Sequence, residues 1–221
     1  MGKIDIKGYI VSNDDREFYD FYGMTSTYPK MVQDAITNDE DEEITLNIAS
    51  NGGDVFAASE IYTMLRDSGK RIVVNIQGLA ASAASVISMA GNTIRISPTA
   101  HIMIHKASSG FVGNSDDMEH QSVVLNSIDE SIALAYEMKT GLKQTELLDL
   151  MAKETWLNAK TAVDKGFADE IMFSDTEEQI MVTNAVHQMP SKSAINKFKN
   201  MIAKPKTNSL REQKLKILLE K

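Results

Sequence analysis

The chain has 221 residues with 43% apolar and 24% charged side chains, which predicts one globular domain, or one domain plus appendages. It contains no cysteine, which excludes disulfide scaffolds, thiolate zinc sites and cysteine nucleophiles. The formal net charge is −8, although residues 191–221 carry nine Lys or Arg and only two Glu. The remainder is therefore strongly acidic, which argues against general nucleic-acid binding.

The sequence predicts neither a secretory signal nor a membrane span. No apolar run follows Lys3, as a signal peptide would require. Residues 72–94 carry no charged side chain, but polar residues interrupt this segment repeatedly. We therefore interpret it as a buried strand followed by a buried helix.

Strand and helix patterns alternate along the first ninety residues. Residues 4–11, 44–48 and 71–76 predict strands, and residues 50–54 predict a turn. A first helix is predicted from the cap residues 12–15 to about Tyr22, and a second begins near Pro29. A third runs from Val55 to about residue 66, with Asp54 as its N-cap, and a fourth from just after Gly78 to about Ala90. Repeated strand-turn-helix units favour an α/β fold with a largely parallel sheet.

The second half of the chain predicts short strands, helices and a polar tail. The predicted elements are strands at 94–96, 102–105 and 167–173, a long helix at 115–141, a helix near 146–152, and a helix capped by Asn158 and ended by Gly166. Residues 174–208, with Pro190 and Pro205, predict a linker before a short helix capped by Ser209. For this basic tail we consider a solvated arm, a partner- or scaffold-binding arm, and nucleic-acid contact.

A serine and a histidine follow two of the predicted strands. In parallel sheets functional groups gather at the carboxyl ends of the strands. Ser82 comes directly after one strand, and a serine becomes a nucleophile when a base accepts its proton. His105 closes another strand, and histidine is the side chain that most often serves as a general base. The other histidines are interpreted as surface groups: His101, His120 and His187.

Such a pair needs an oxyanion site and a group that orients the imidazole. The backbone N–H groups of Gly53 and Ala83 are our candidates for the oxyanion donors. For the orienting carboxylate, periodicity alone does not separate four candidates: Glu154, Asp149, Asp164 and Asp169.

Five segments, in this order, resemble the ClpP family of self-compartmentalising serine peptidases. They are residues 51–53 (Asn-Gly-Gly), 78–82 (Gly-Leu-Ala-Ala-Ser), 103–105 (Met-Ile-His), 156–159 (Trp-Leu-Asn-Ala) and 166–169 (Gly-Phe-Ala-Asp). The resemblance covers about Ile4 to Phe173. It implies the ClpP/crotonase-like spiral of ββα units, with a peptidase domain at 1–173 and a polar linker and basic tail at 174–221. The long helix at 115–141 corresponds to the handle through which rings meet.

The resemblance also assigns roles within the site. It implies Ser82 as nucleophile, His105 as base, the backbone of Gly53 and Ala83 as oxyanion hole, and Glu154 as the acid. The family usually has aspartate at that last position, so Glu154 is a departure, although other triads use glutamate. No metal and no cofactor is expected.

Residues 53–57 and 154–157 resemble in particular the head-maturation proteases of tailed bacteriophages and prophages. This implies a serine endopeptidase acting on polypeptides, as a homo-oligomer in a heptameric ring or stacked double ring. A phage scaffold or capsid protein is the expected partner in the bacterial host cytoplasm, without membrane or nucleic acid. The alternatives are an ATP-dependent Clp protease proteolytic subunit working with an unfoldase, and a catalytically degenerate ring-forming assembly protein.

Two further hypotheses use different chemistry. A serine–lysine peptidase would need Lys70 or Lys106 as its base. A crotonase-like acyl-CoA enzyme would share the fold and the glycine-based oxyanion site, but not the Ser82–His105 pair.

Overall fold

An eight-stranded sheet forms the centre of the computed structural model, which describes residues 2–174. The strands are β1 (Gly2–Ile10), β2 (Ser26–Thr27), β3 (Glu43–Gly53), β4 (Arg71–Ala81), β5 (Thr93–Ile96), β6 (His101–Ile104), β7 (Thr155–Asn158) and β8 (Glu170–Ile171). They are ordered β2-β1-β3-β4-β5-β8, with β6 paired to β4 and β7 paired to β6. Among the described strands only the β6–β7 pair is antiparallel, which confirms the predicted α/β class with a mainly parallel sheet.

Seven helices accompany the sheet within the described residues. They are α1 (Arg16–Phe21), α2 (Pro29–Asn38), α3 (Val55–Asp67), α4 (Ala83–Ser88), α5 (Ser115–Thr140), α6 (Gln144–Ala152) and α7 (Ala159–Asp164). Helix α4 packs against β3, β4 and α3, while α5 packs against α4 and α6. The strand–helix units predicted around residues 44–66 and 71–90 are thus present as β3–α3 and β4–α4.

The core lies between the sheet and the helices on one of its faces. Side chains of a strand alternate between its two faces, so one face takes every second residue. In β3 and β4 these residues are buried: Ile44, Leu46, Ile48, Ile72, Val74 and Ile76. The opposite face carries a polar row across four strands in register, from Asp5 through Asn47 and Asn75 to Arg95.

Three helix caps follow from side-chain chemistry. Asp54 Oδ1 accepts a hydrogen bond from Ala57 N at 2.7 Å, and Asn158 Oδ1 accepts one from Thr161 N at 3.0 Å. Both caps were predicted and are confirmed. Helix α5 begins with a capping box between Asn114 and Asp117 and ends at Gly141, whose φ is 72°. These caps fix the ends of the helices that border the site.

Two predicted boundaries are wrong because pairing extends the strands. Strand β3 continues to Gly53 where a turn was predicted over 50–54, since Gly53 pairs with Ile10 of β1. Strand β4 passes Gly78 and ends at Ala81, since its last residues pair with β6. Gly78 therefore lies within β4 rather than at its end, and a Cβ atom at that position would meet open space. Strands β2 and β7 were not predicted, and β8 occupies only two residues of the segment predicted at 167–173.

One compact unit, Met1–Phe173, contains all of these elements. The linker with Pro190 and Pro205, the helix capped by Ser209, and His187 lie outside the described residues. None of the helices in residues 2–174 has both the length and the hydropathy needed to span a bilayer.

Candidate active site

Three parallel strands end at one edge of the sheet. Strand β4 lies between β3 and β6, with Ala80 opposite both Ser50 and Ile102. The residues that follow the strand ends are therefore neighbours. Ser82 follows β4 and His105 follows β6, so the topology brings together two side chains that are far apart in the sequence.

Ser82 occupies a strained turn between β4 and α4. Its φ is 53° and its ψ is −125°, a conformation that a residue with a side chain rarely adopts. The turn is held by a hydrogen bond from Ser82 N to Met103 O at 2.9 Å. The Ser82 hydroxyl makes no capping bond to α4, although the residue stands at the N-cap position. The hydroxyl is therefore left to face His105.

The Ser82 hydroxyl and the His105 imidazole are in direct contact. His105 Nε2 lies 2.7 Å from Ser82 Oγ, and the imidazole is partly buried. A neutral imidazole can accept the serine proton at Nε2 when its own proton is on Nδ1. Among residues 2–174 the His105 side chain makes no second hydrogen bond, so Nδ1 has no protein partner there.

Glycine is required where β3 meets the Ser82 turn. A Cβ atom on Gly52, whose φ is +92°, would lie 2.6 Å from Ala81 O and 2.8 Å from Ser82 Cβ. A Cβ atom on Gly53, whose φ is +150°, would overlap the carbonyl of Ile10. The backbone of β3 consequently approaches Ser82 more closely than any residue with a side chain would allow. Gly53 and Ala83 line the same cavity as Ser82 and His105.

Glu154 lies beside His105 but is not bonded to it. In the antiparallel pairing of β6 and β7, Ile104 is opposite Thr155, so Glu154 precedes β7 where His105 follows β6. The Glu154 backbone is left-handed, with a φ of 49°. Its Oε1 accepts a hydrogen bond from Trp156 Nε1 at 3.2 Å. The role of Glu154 as the acid stays a prediction.

The other three carboxylate candidates do not bond to His105 in the described part of the chain. Asp169 Oδ2 accepts from Ile94 N at 2.6 Å and from Lys139 Nζ at 2.9 Å, so it ties β5 to α5. Asp149 and Asp164 are exposed on α6 and α7.

Neither lysine that was considered as an alternative base contacts Ser82. Lys70 Nζ donates to the carbonyls of Asp39 and Asp41, beside the start of β4 rather than its end. Lys106 Nζ lies 3.5 Å from Asp129 Oδ2. His101 and His120 are exposed, as predicted.

Sequence reasoning missed three polar groups that surround the pair. Ser85, interpreted as a packing residue, is buried and donates from Oγ to Ser82 O at 2.6 Å. Its Oγ also lies 2.7 Å from the hydroxyl of Tyr136, whose pKa is raised by burial. Asp129 is buried and accepts from Ala107 N at 2.7 Å. Only the spacing of Ser82 and Ser85, one helical turn, offered a signal in the sequence.

An apolar cavity of about 360 Å³ opens beside the Ser82 and His105 side chains. Helices α4 and α5 supply most of its apolar wall through Val86, Val124, Leu125, Ile128 and Ile132. Such a wall suits an apolar side chain better than a charged one. Across residues 2–174 no three His, Cys, Asp or Glu side chains cluster as a metal site would need.

Comparison with known proteins gives consistent matches. The family model described as Clp protease matches residues 29–175. The chain is similar to the ATP-dependent Clp protease proteolytic subunit of Deinococcus radiodurans, with 30% identity over 141 residues that cover 63% of this chain and 69% of that protein. It is also similar to proteolytic subunit 2 of Tropheryma whipplei, with 28% identity over 61% of this chain and 76% of that protein. Subunit 2 of Treponema denticola is 31% identical over 58% of this chain and 65% of its own length.

Proposed function

Because this chain belongs to the Clp protease family and is thus a serine-type peptidase, we propose that it cleaves internal peptide bonds with Ser82 as nucleophile and His105 as general base. The 2.7 Å contact between Ser82 Oγ and His105 Nε2 carries this proposal. It provides the geometry that a serine nucleophile requires of its base, between residues that the fold alone brings together.

The chemistry is acyl transfer in two steps. As Ser82 Oγ attacks the carbonyl carbon of the scissile bond, His105 Nε2 takes the hydroxyl proton. The N–H groups of Gly53 and Ala83 stabilise the oxyanion of the tetrahedral intermediate. His105 then returns the proton to the leaving amine as the C–N bond breaks. Water attacks the acyl-enzyme with His105 again as base, which releases the carboxylic acid product and restores the Ser82 hydroxyl.

Glu154 is our candidate for the third member of the triad. It is the residue next to β7 on the side where His105 leaves β6. When its carboxylate leaves Trp156 Nε1 and accepts the Nδ1 proton of His105, it fixes the tautomer that general-base catalysis needs.

The substrate is a polypeptide with an apolar residue before the scissile bond. The cavity beside Ser82 is lined by Val86, Leu125 and Ile128, and it has room for a leucine- or methionine-sized side chain. Aspartate or lysine at that substrate position would lose hydration against this apolar wall, and Asp54, which also lines the cavity, already accepts from Ala57 N.

We further propose a homo-oligomeric ring, heptameric or as a stacked double ring, in the bacterial host cytoplasm. The family forms oligomeric rings that work with unfoldases. Large apolar side chains on α5 support burial in an assembly, because Val123, Leu134 and Met138 are exposed in the single chain. The handle role of α5 belongs to this proposal.

For the biological setting we propose phage head maturation, with a scaffold or capsid protein as substrate. The support is the resemblance of residues 53–57 and 154–157 to that branch. The second candidate is a proteolytic subunit that receives protein from an ATP-driven unfoldase, which the names of the relatives favour. Cleavage of a scaffold protein without ATP supports the first. Degradation of a folded substrate only with unfoldase and ATP supports the second.

The experiment is turnover of casein and a fluorogenic peptide by the assembled protein and by Ser82→Ala. We expect Ser82→Ala to lower kcat by about four to six orders of magnitude. Ser131→Ala is the control, because the Ser131 hydroxyl is exposed on α5, donates to Ser127 O and does not contact Ser82 or His105. Equal turnover by wild type and Ser82→Ala contradicts the proposal, and an inactive wild-type assembly supports the degenerate ring protein.

A further inference from the structure

We infer that α5 positions both members of the catalytic pair through two buried polar side chains, Tyr136 and Asp129. Tyr136 acts on the Ser82 turn through Ser85, and Asp129 holds the backbone directly after His105. This inference rests on the proposed function, since it assigns positioning roles around the Ser82–His105 pair.

The first anchor is a chain of hydrogen bonds from α5 to the nucleophile. Ser85 Oγ donates to Ser82 O at 2.6 Å, which uses the single proton of the Ser85 hydroxyl. The 2.7 Å contact between Ser85 Oγ and the Tyr136 hydroxyl must therefore be donated by Tyr136. Both side chains are buried, so water does not compete for these bonds.

This chain stabilises the strained conformation of Ser82. A residue with a left-handed backbone persists only where its surroundings hold it. The Ser82 carbonyl accepts from Ser85 N at 2.9 Å and from Val86 N at 3.4 Å besides the Ser85 hydroxyl. The orientation of the Ser85 hydroxyl depends in turn on Tyr136. Loss of the Tyr136 hydroxyl therefore loosens the turn that presents Ser82 Oγ to His105.

The second anchor is a buried carboxylate beside the base. Asp129 is 3% exposed, and no other Asp, Glu, Lys or Arg in residues 2–174 is classed as buried. Its Oδ1 accepts from Ala107 N at 2.7 Å, and its Oδ2 lies 3.5 Å from Lys106 Nζ. A buried carboxylate is costly without such partners. Both partners belong to the two residues after His105, where β6 has ended and strand pairing no longer holds the backbone.

The two anchors lie on one face of the same helix. Asp129 and Tyr136 are seven residues apart, close to two helical turns, and the other buried residues of α5 are Ile132 and Ala133 between them. A shift or rotation of this part of α5 moves both anchors together. The helix thus sets the separation between the Ser82 hydroxyl and the His105 imidazole.

Removal of single hydroxyl groups tests the first anchor. We expect Tyr136→Phe and Ser85→Ala each to lower kcat about three- to tenfold with KM unchanged, the range for one lost hydrogen bond. The double variant should lose no more than the worse single variant, because both act through one chain. Tyr62→Phe and Ser131→Ala are the controls, since the Ser131 hydroxyl donates to Ser127 O and, among residues 2–174, neither hydroxyl bonds to Ser82, Ser85 or Tyr136. Phenylalanine keeps the ring packing of Tyr136 on Phe167.

The second anchor is tested by substitutions of Asp129 that keep or remove the oxygen that accepts from Ala107 N. Asparagine keeps an oxygen for the Ala107 N–H, so we expect Asp129→Asn to stay within about threefold of the wild-type kcat. Asp129→Leu leaves that N–H unpaired, and we expect a loss of more than about tenfold. If Asp129→Leu does not fold, Asp129→Glu displaces the acceptor by one methylene and provides the same comparison.

All rates are expressed per site titrated with a fluorophosphonate, which removes any effect of lost folded protein. A merely structural role lowers the melting temperature but leaves the rate per site unchanged, and that result overturns the inference. Wild-type rates per site in Tyr136→Phe and Ser85→Ala overturn it as well. A wild-type protein that takes up no label at Ser82 contradicts the proposed function instead, so the two failures are distinguishable.

Discussion

Glu154 stands beside His105 across the ends of β6 and β7, yet its carboxylate is bonded to the Trp156 indole. Ile104 and Thr155 are the last opposed residues in the antiparallel register, and the next residues on either side are His105 and Glu154. Glu154 Oε1 accepts from Trp156 Nε1 at 3.2 Å. A side-chain rotation would therefore have to bring Glu154 into contact with His105 if it is to act as the proposed acid.

Glu154→Gln tests this arrangement. Glutamine cannot stabilise the imidazolium, so we expect kcat to fall by about two to four orders of magnitude. Trp156→Phe removes the competing indole donor and should leave kcat at or above the wild-type value. Steady-state kinetics with a fluorogenic peptide measures both. Wild-type turnover by Glu154→Gln would exclude Glu154 as the acid.

A substitution at Gly52 tests how closely β3 approaches Ser82. Gly52→Ala places a Cβ atom 2.6 Å from Ala81 O and 2.8 Å from Ser82 Cβ, so the Ser82 turn must move. We expect a loss of at least about two orders of magnitude in kcat, comparable to removal of an oxyanion donor.

Gly69→Ala is the control for Gly52→Ala. Gly69 also has a positive φ, of +68°, but no atom lies near its Cβ position. Both variants therefore carry a backbone penalty of about 1 kcal/mol in the free energy of unfolding. Peptidase assays and urea unfolding of the two proteins separate the cost of the positive φ, which both variants share, from the contact of the new Cβ atom with Ala81 and Ser82, which only Gly52→Ala makes. An equal effect of both variants on kcat would contradict the close approach.

Substrate preference tests the apolar cavity. We expect peptides with Leu before the scissile bond to be cleaved at least about tenfold more efficiently than peptides with Asp or Lys there. A charged side chain loses hydration against the apolar wall, and the Asp54 carboxylate at the cavity already accepts from Ala57 N. Leu125→Asp should raise KM for the Leu peptide and improve kcat/KM for the Lys peptide. Because the Leu and Lys peptides are measured with the same enzyme preparation, the ratio of their kcat/KM values does not depend on the amount of active enzyme. An unchanged ratio of kcat/KM between them in Leu125→Asp would mean that this cavity does not hold the substrate side chain.

Alkaline stability tests the buried hydroxyl of Tyr136. Burial raises the pKa of this hydroxyl above its ordinary value of 10.0. Below pH 10 the folded and unfolded states both keep this proton, so its contribution to stability is constant. Above that pH the unfolded state loses the proton while the folded state keeps it. The free energy of unfolding should therefore fall by up to about 1.4 kcal/mol per pH unit from this group.

Urea unfolding from pH 8 to 11 measures that slope. Tyr136→Phe should show a weaker loss of stability above pH 10 than wild type, whereas Tyr62→Phe should follow wild type. Tyr62 is a partly buried tyrosine on α3 and serves as the matched aromatic control. Identical slopes in all three proteins would mean that the Tyr136 hydroxyl is accessible to hydroxide in the folded state.

Local patterns predicted much of the scaffold and both members of the proposed catalytic pair. Asp54 and Asn158 were predicted as caps because a cap needs only a few consecutive residues. Ser82 and His105 were candidates because each directly follows an apolar strand. Their contact, however, depends on the pairing of β4 with β6, and no local pattern specifies that pairing.

The features that local patterns did not predict depend on contacts between residues that are distant in the chain. Strand β4 extends past Gly78 because β6 pairs with its last residues, and β7 exists because β6 offers a free edge. The bond between Ser85 and Tyr136 joins residues 51 positions apart. Each residue alone is compatible with ordinary packing, so a single sequence held no signal for that bond.

The most direct test of the central claim is covalent labelling of the assembled protein with a fluorophosphonate, followed by intact-mass measurement and peptide mapping. We predict one adduct per chain on Ser82, no adduct in Ser82→Ala, and labelling slowed by at least about three orders of magnitude in His105→Ala. An assembled wild-type protein that takes up no label, or a Ser82→Ala protein labelled like wild type, would contradict the assignment of Ser82 and His105 as nucleophile and base.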